Sequence, residues 1–267
     1  MKTYFKLELK KAIFSWKTML SIIILTTLFI APYLKEGTSP YLELDGVDMF
    51  LRISGFSYIG YIAPVVVGLI YSTSIIEDKQ SGFMDKIIEI IDRKTYFKVK
   101  LLVNSLANSI IFGISYGIVI LYLIISLGIS SEIQDEMLMG SFVKGSVFIG
   151  IYDISKLLYI VTIFLLVVIS SVAFSTFLLA VTTVSKKKII AYILPIFYVV
   201  LTGVFFEIWV LNGIVDFNIT RLFNIAIYRR GSGIGILLYD LILMLLGIGF
   251  IYRFAYKENL KLKEIIE

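Results

Sequence analysis

The chain contains no cysteine and no histidine among its 267 residues. The missing thiol and imidazole groups exclude disulfides, thiol nucleophiles, imidazole bases and the usual zinc sites. Charged residues are also scarce, at 17% against about 25% in soluble domains. The composition thus removes several classes of catalytic and metal site, and we expect no bound metal and no cofactor on this chain.

Apolar residues dominate the chain instead, at 58% against about 45–50% in soluble domains. A helix needs about 20 mostly apolar residues to cross a bilayer. Six stretches approach or exceed this length: Thr18–Leu34, Ile53–Ile76, Leu101–Ser130, Leu157–Val184, Ile189–Leu211 and Gly233–Tyr252. We therefore predict an all-α polytopic membrane protein with six transmembrane helices, forming a single domain over residues 1–267.

The lysines and arginines indicate how these spans are oriented. One alternating set of segments holds five basic residues in 1–17, six in 77–100, three in 186–188 and four in 253–267. The opposite set holds only seven of the 25. Because cytoplasmic loops carry an excess of Lys and Arg, both termini are expected in the cytoplasm. The net charge of +5 is then a topology signal and does not indicate a nucleic-acid partner.

The first two loops on the opposite side are predicted to be acidic. Their acidic residues are Glu36, Glu43, Asp45, Asp48, Glu132, Asp135 and Glu136.

The N-terminal segment 1–17 has the pattern of an amphipathic helix. On a helix, five apolar residues share one side: Phe5, Leu9, Ala12, Ile13 and Trp16. The lysines of the segment lie elsewhere on the helix and reach water. This pattern is typical of a helix lying in the membrane interface before the first span. The alternative is a cytoplasmic stub whose lysines only fix the orientation.

A charged segment, 77–100, separates the second and third spans. It begins with Glu77-Asp78, and Ser81-Gly82 then offers a break in helical continuity. Four apolar residues follow at helical spacing and share one face: Phe83, Ile87, Ile90 and Ile91. A short helix of this kind is suited to inserting an apolar ridge into a groove on a soluble partner. The alternative is an amphipathic linker that rests on lipid head groups.

This segment resembles the region between the second and third spans of the membrane subunit of type 2 ABC exporters. The matching residues are Glu77, Ser81, Gly82, Ile87, Ile88, Arg93, Tyr96 and Lys100. The topology resembles that family over nearly the whole chain, and the local match covers about 25 residues. One difference is that the family often has a proline shortly before the basic residue, where this chain has Ile91-Asp92.

The resemblance implies that segment 77–100 is a coupling element that contacts an ATPase. The implied ATPase-coupling residues are Glu77, Ser81, Gly82, Phe83, Ile87, Ile88, Ile91, Arg93 and Tyr96. It also implies an outer re-entrant segment at 209–230. The abundance of Ile, Lys and Tyr together with no Cys is compatible with a bacterium of AT-rich genome, so we expect a location in the bacterial plasma membrane. The expected partners are two ATPase subunits, which bind ATP and Mg²⁺, and a second permease subunit, identical or paralogous.

The chain itself has no G-x-x-x-x-G-K-[ST] phosphate loop, so we expect it not to be an enzyme. The resemblance implies the function of a permease subunit in an ATP-driven exporter. The cargo is expected to be an amphipathic peptide, such as an antimicrobial peptide, or a lipid or a drug.

Small residues recur every fourth position on two of the spans. They are Gly60, Pro64, Gly68 and Ser72 on the second span and Ser105, Ser109, Gly113 and Gly117 on the third. Small residues in register let helix backbones approach closely within lipid. We therefore predict helix packing at both stripes, either within the bundle or at a seam between subunits.

Two acidic residues are predicted to lie within the membrane, Glu207 and Asp240. A charge at this depth is costly, so each is expected to be neutral, paired or facing a polar cavity. The preferred interpretation of Glu207 is an anchor for the outer segment. These residues leave open an alternative function, a secondary transporter or membrane sensor that works without an ATPase.

Overall fold

The structure of the protein is a computed structural model that describes residues 2–36, 44–130, 147–185, 187–205, 215–227 and 232–266. Within these ranges every regular element is helical. The α-helices are α1 Lys2–Ile13, α2 Trp16–Glu36, α3 Gly46–Phe56, α4 Ile59–Ile70, α5 Ser74–Gln80, α6 Phe83–Ile90, α7 Arg93–Leu127, α8 Ile149–Ile154, α9 Lys156–Val184, α10 Lys188–Val200, α11 Ile219–Phe223 and α12 Gly233–Ile266.

Five stretches of helix are long and apolar enough to cross a membrane. They are Trp16–Lys35, Ile59–Gln80, Arg93–Leu127, Lys156–Val184 and Gly233–Arg253. A shorter apolar helix, Lys188–Gly203, corresponds to the fifth predicted span. The end of that predicted span, residues 206–211, lies outside the described residues, as does Glu207. The prediction of an all-α protein with several membrane-spanning helices is confirmed.

The second predicted span, Ile53–Ile76, is not one continuous helix. Helix α3 ends at Phe56, and α4 begins only at Ile59 after Ser57 adopts an extended backbone. A turn at 71–73 then separates α4 from α5. The sequence prediction missed both breaks because the small polar residues at 54–57 and 72–74 do not lower the apolarity of the run enough to end a span, and apolarity alone does not report a change of helix direction.

Helices α7 and α9 lie side by side at the centre of the bundle, and α12 packs along α9. A polar contact joins the two central helices, where the Asn104 amide donates to Ser175 Oγ at 3.0 Å. Near it, Asn108 donates to the Asn104 backbone carbonyl at 2.9 Å. All three side chains are fully buried. Hydrogen bonds of this kind hold helices together where lipid supplies no hydrophobic attraction between them.

The two glycines predicted on the second span sit against neighbouring backbone or ring atoms. A methyl group at Gly60 would lie 2.6 Å from the backbone oxygen of Thr220 in α11. One at Gly68 would lie 2.6 Å from the ring of Pro195 in α10.

The small residues on the third span have more space around them than those on the second. A methyl group at Gly113 or Gly117 would come no closer than 3.8 Å to the ring of Phe164 in α9. Ser109 and Ser105, one and two turns before Gly113, are half-buried.

Candidate functional site at the α6 end of the bundle

Helices α5, at the end of the second long span, and α6 form a bent pair that leads into α7. The bend is at Gly82, whose φ of 68° is left-handed, a conformation that favours glycine. After α6 the chain extends through Ile91, and Asp92 caps α7 by accepting a hydrogen bond from the Thr95 amide at 3.0 Å. Ser81 precedes the bend and is exposed. These local features fix α6 at an angle to both of its neighbours.

The apolar side chains of α6 are divided between two faces. Met84 is buried, and Ile87, Ile88 and Ile91 are half-buried against the core. Phe83 is 40% exposed and Ile90 is 79% exposed. The four residues predicted to form one ridge therefore separate into an inner pair, Ile87 and Ile91, and an outer pair, Phe83 and Ile90.

A buried group of charged and aromatic residues lies directly behind this helix pair, here called the Lys100 cluster. It consists of Glu8, Tyr71, Asp78, Tyr96 and Lys100. The Lys100 ammonium is fully buried and lies 2.6 Å from Glu8 Oε2 and 2.6 Å from Asp78 Oδ2. One lysine thus bridges two carboxylates that come from different helices, α1 and α5.

Tyrosine hydroxyls complete the hydrogen bonding of these carboxylates. Tyr71 donates to Glu8, and Tyr96 donates to Asp78 at 2.9 Å. Tyr4 stacks on Tyr96 with ring centroids 6.1 Å apart. Burial, with Glu8 and Asp78 nearby, raises the pKa of Tyr4 well above its usual range, so its hydroxyl stays protonated.

A second contact ties α5 to the beginning of α2. The Lys17 ammonium lies 3.0 Å from Glu77 Oε1 and 2.9 Å from Thr73 Oγ1, and the Thr73 hydroxyl also donates to Glu77 at 2.9 Å. Glu77, predicted as a coupling residue, is therefore already engaged within the chain. Arg93, at the start of α7, is half-buried.

Together these contacts connect the α5–α6 pair to three other helices. Asp78 is bound to α7 through Lys100, Glu8 brings α1 to the same lysine, and Glu77 holds α2. Breaking a buried ion pair by removing one partner costs about 3–5 kcal/mol, because the remaining charge is left uncompensated. A displacement of α5–α6 therefore cannot occur without moving α1, α2 or α7 or breaking one of these contacts.

A cleft of about 580 Å³ opens beside the cluster. It is lined by Leu7, Glu8, Lys11, Glu77, Asp78, Ser81, Phe83, Lys86 and Lys188. Its walls come from α1, α5, α6 and the first residue of α10. The cleft is the point at which the buried charges approach the surface.

A similar arrangement stabilises the opposite end of the bundle. Lys156, the first residue of α9, lies 2.6 Å from Asp45 and 2.7 Å from Asp48, and Tyr152 donates to Asp48 at 2.5 Å. Burial raises the pKa of Asp48, while the hydrogen bonds from Lys156 and Tyr152 oppose that rise. Asp45 and Asp48 were expected in an acidic outer loop, but both are buried.

The predicted intramembrane residue Asp240 is only 2% exposed. Its Oδ2 accepts a hydrogen bond from Ser170 of α9 at 2.9 Å. Its Oδ1 has no hydrogen-bond partner among the residues that the structure describes.

Sequence reasoning missed that Glu8 and Asp78 are partners of Lys100. The available signal for Glu8 was its spacing of four from both Tyr4 and Ala12, which places all three on one helical face. That face is the buried one in α1, whereas the apolar set chosen from the sequence is shifted: Phe5 and Leu9 are half-buried and Trp16 is 71% exposed. No local signal pairs residues that are 92 positions apart, as Glu8 and Lys100 are.

Comparisons of the chain with models of protein families, with curated protein sequences and with solved structures find no match. The function is therefore inferred from the residues and their geometry.

Proposed function

We propose that the chain is the permease subunit of an ATP-driven exporter and that α6 contacts a separate ATPase. The observation that carries this proposal is the pair of exposed apolar side chains on α6, Phe83 and Ile90, which lie outside the membrane-spanning stretches. Exposed apolar side chains on a short helix suit insertion into a groove of a soluble partner. The fit of segment 77–100 to the exporter pattern supports the same assignment.

The contacts behind α6 support a role in transmitting movement. Asp78 and Glu77 tie the α5–α6 pair to α7, α1 and α2 through Lys100 and Lys17. A push on α6 by an ATPase would therefore reach the long helix α7 through α5, whose Asp78 is bound to Lys100.

The complete transporter in this proposal contains two permease chains, identical or paralogous, with six spans each. Two ATPases bind at the cytoplasmic side, where both termini also lie, in a bacterial plasma membrane. The cargo is an amphipathic peptide, a lipid or a drug.

The test is purification of the tagged chain from the membranes of its own cell, followed by measurement of bound ATPase and of ATP hydrolysis. We expect a co-purifying protein with a phosphate loop. Ile90→Asp should weaken its binding by about thirtyfold, since losing a central apolar contact in an interface costs about 2 kcal/mol or more. Ile90 is preferred to Ile87 because Ile87 packs against the core, where an aspartate would disturb folding as well.

The control is Ile154→Asp in α8, where the native side chain is equally exposed, at 79%. This variant should retain the ATPase. A wild-type chain that purifies without any ATPase, or an Ile90→Asp chain that binds it normally, would contradict the proposal.

One observation favours a second candidate, an ion-coupled transporter or sensor. Asp240 is buried in α12, and its Oδ1 lacks a hydrogen-bond partner among the described residues. Buried ionisable groups within membrane spans often mark ion or proton pathways. Asp240→Asn should abolish ion-driven transport if this candidate is right, and should leave ATPase binding unchanged if the exporter is right.

A further inference from the structure

The cleft beside the Lys100 cluster is lined by three carboxylates, Glu8, Glu77 and Asp78, and each of them already lies next to a lysine of the chain. Buried Lys100 lies 2.6 Å from both Glu8 and Asp78. Lys17 lies 3.0 Å from Glu77. The region holds five positively charged lysines, namely Lys17, Lys100 and the three that line the cleft, and three negatively charged carboxylates. The cleft therefore has a surplus of positive charge.

This surplus lies at the mouth of the cleft. Lys86 and Lys188 are exposed, and neither lies within ion-pair distance of a carboxylate in the described part of the chain, although the positive charge of Lys188 acts on the Glu77 carboxylate at longer range. Lys11 is 51% exposed, and its ammonium lies 3.6 Å from Asp78, whereas the Lys100 ammonium lies 2.6 Å from Asp78. The three lysines come from α1, α6 and α10, so the fold and not a local charge run brings them together.

The exposed side chains of the N-terminal region place this mouth at the level of lipid head groups. Leu7 is 62% exposed and Phe14 79% exposed, and Trp16 follows at 71%. These apolar residues lie close in sequence to the lysines of segment 1–17. Exposed apolar residues and lysines in one segment are typical of a helix whose apolar side enters the membrane interface by a few ångströms. Leu7 itself lines the cleft, so the interfacial surface of α1 continues into it.

We propose that this cleft binds the phosphate of an anionic phospholipid from the adjacent leaflet. Basic pockets between helices on the cytoplasmic side of membrane proteins hold such head groups. Lys11, Lys86 and Lys188 hold the phosphate, while Leu7 contacts the glycerol and the first acyl carbons. The site does not depend on an ATPase, so its test is independent of the exporter assignment.

The test is a titration of the purified chain in detergent with phosphatidylglycerol, with bound lipid counted by native mass spectrometry and phosphatidylcholine as the neutral reference. Each lysine near a membrane surface contributes about 1 kcal/mol towards anionic lipid, so Lys86→Gln/Lys188→Gln should bind phosphatidylglycerol about thirtyfold more weakly. The matched control is Lys6→Gln/Lys98→Gln, which removes the same charge from exposed positions outside the cleft. It should lose less than about threefold, because screening limits the reach of a distant surface charge.

Three outcomes would overturn the proposal. Equal losses in the two double variants would mean that lipid responds only to total charge. Equal binding of phosphatidylglycerol and phosphatidylcholine would mean that charge does not select the lipid. Full displacement of the lipid by inorganic phosphate would assign the cleft to a soluble anion. All four lysines are exposed, so both double variants should keep the helix content of the native chain, which circular dichroism checks.

Discussion

Replacing Lys100 by methionine should be among the most damaging single changes in this protein. The Lys100 side chain has no exposed surface, and its ammonium is 2.6 Å from two carboxylates that are themselves almost fully buried. Lys100→Met keeps an unbranched side chain, one atom shorter, but removes the cation between Glu8 and Asp78 and leaves only the partly exposed Lys11, 3.6 Å from Asp78, nearby. Removing one partner from a buried ion pair costs about 3–5 kcal/mol, so we expect a loss of at least that size.

Two further variants separate the ion pair from general packing. Lys98→Met changes an exposed lysine on the same helix and should alter the free energy of unfolding by no more than about 0.5 kcal/mol. The triple variant Glu8→Gln/Asp78→Asn/Lys100→Met neutralises the whole group and should recover most of the loss, because no charge remains buried.

The assay is reversible unfolding of the purified chain in mixed detergent micelles, followed by circular dichroism. A decrease of less than about 1 kcal/mol in the free energy of unfolding of Lys100→Met would refute the reasoning, since removing a buried cation between two carboxylates is expected to cost more than that. A triple variant as unstable as the single variant would also refute it.

Three other changes test the packing, the bend and the orientation. Gly60→Ala should destabilise the protein by about 1–3 kcal/mol because its methyl group meets a backbone oxygen at 2.6 Å, whereas Gly113→Ala, with its nearest atom at 3.9 Å, should be close to neutral in the same unfolding assay. Gly82→Ala should cost about 1 kcal/mol or more in that assay because of its left-handed backbone, and Gly82→Asn should cost less. Lys187→Cys should resist a membrane-impermeant thiol reagent added to intact cells and react after lysis; labelling from outside would contradict the cytoplasmic assignment.

The membrane spans could be predicted from the sequence because each one is a long apolar run. In lipid such a run forms a helix, since only a helix pairs all of its backbone polar groups within one segment. The bend at Gly82 was equally accessible, since Ser-Gly before an amphipathic stretch is a local signal. The break at Ser57 carries a similar signal, Ser54-Gly55, but the prediction passed over it because the surrounding residues are apolar enough to continue the span.

The charge clusters could not be predicted for a different reason. Asp45 and Asp48 have the local pattern of an acidic loop, and only the folded chain brings Lys156 to them from more than 100 positions away. Glu8 was not considered in the sequence prediction, which placed only the lysines of segment 1–17 away from the apolar side of the helix. Partners distant in the chain leave no trace in local periodicity, so the cleft and its lysines were also inaccessible from the sequence.

The central claim, that α6 is the contact point for an ATPase, is tested most directly by site-directed cross-linking in this naturally cysteine-free chain. Ile90→Cys and Ile154→Cys replace side chains of equal exposure at opposite ends of the bundle. A thiol-to-amine cross-linker applied to native membranes should join position 90, and not position 154, to a protein that carries a phosphate loop. No such adduct at position 90, or equal adducts at both positions, would contradict the account.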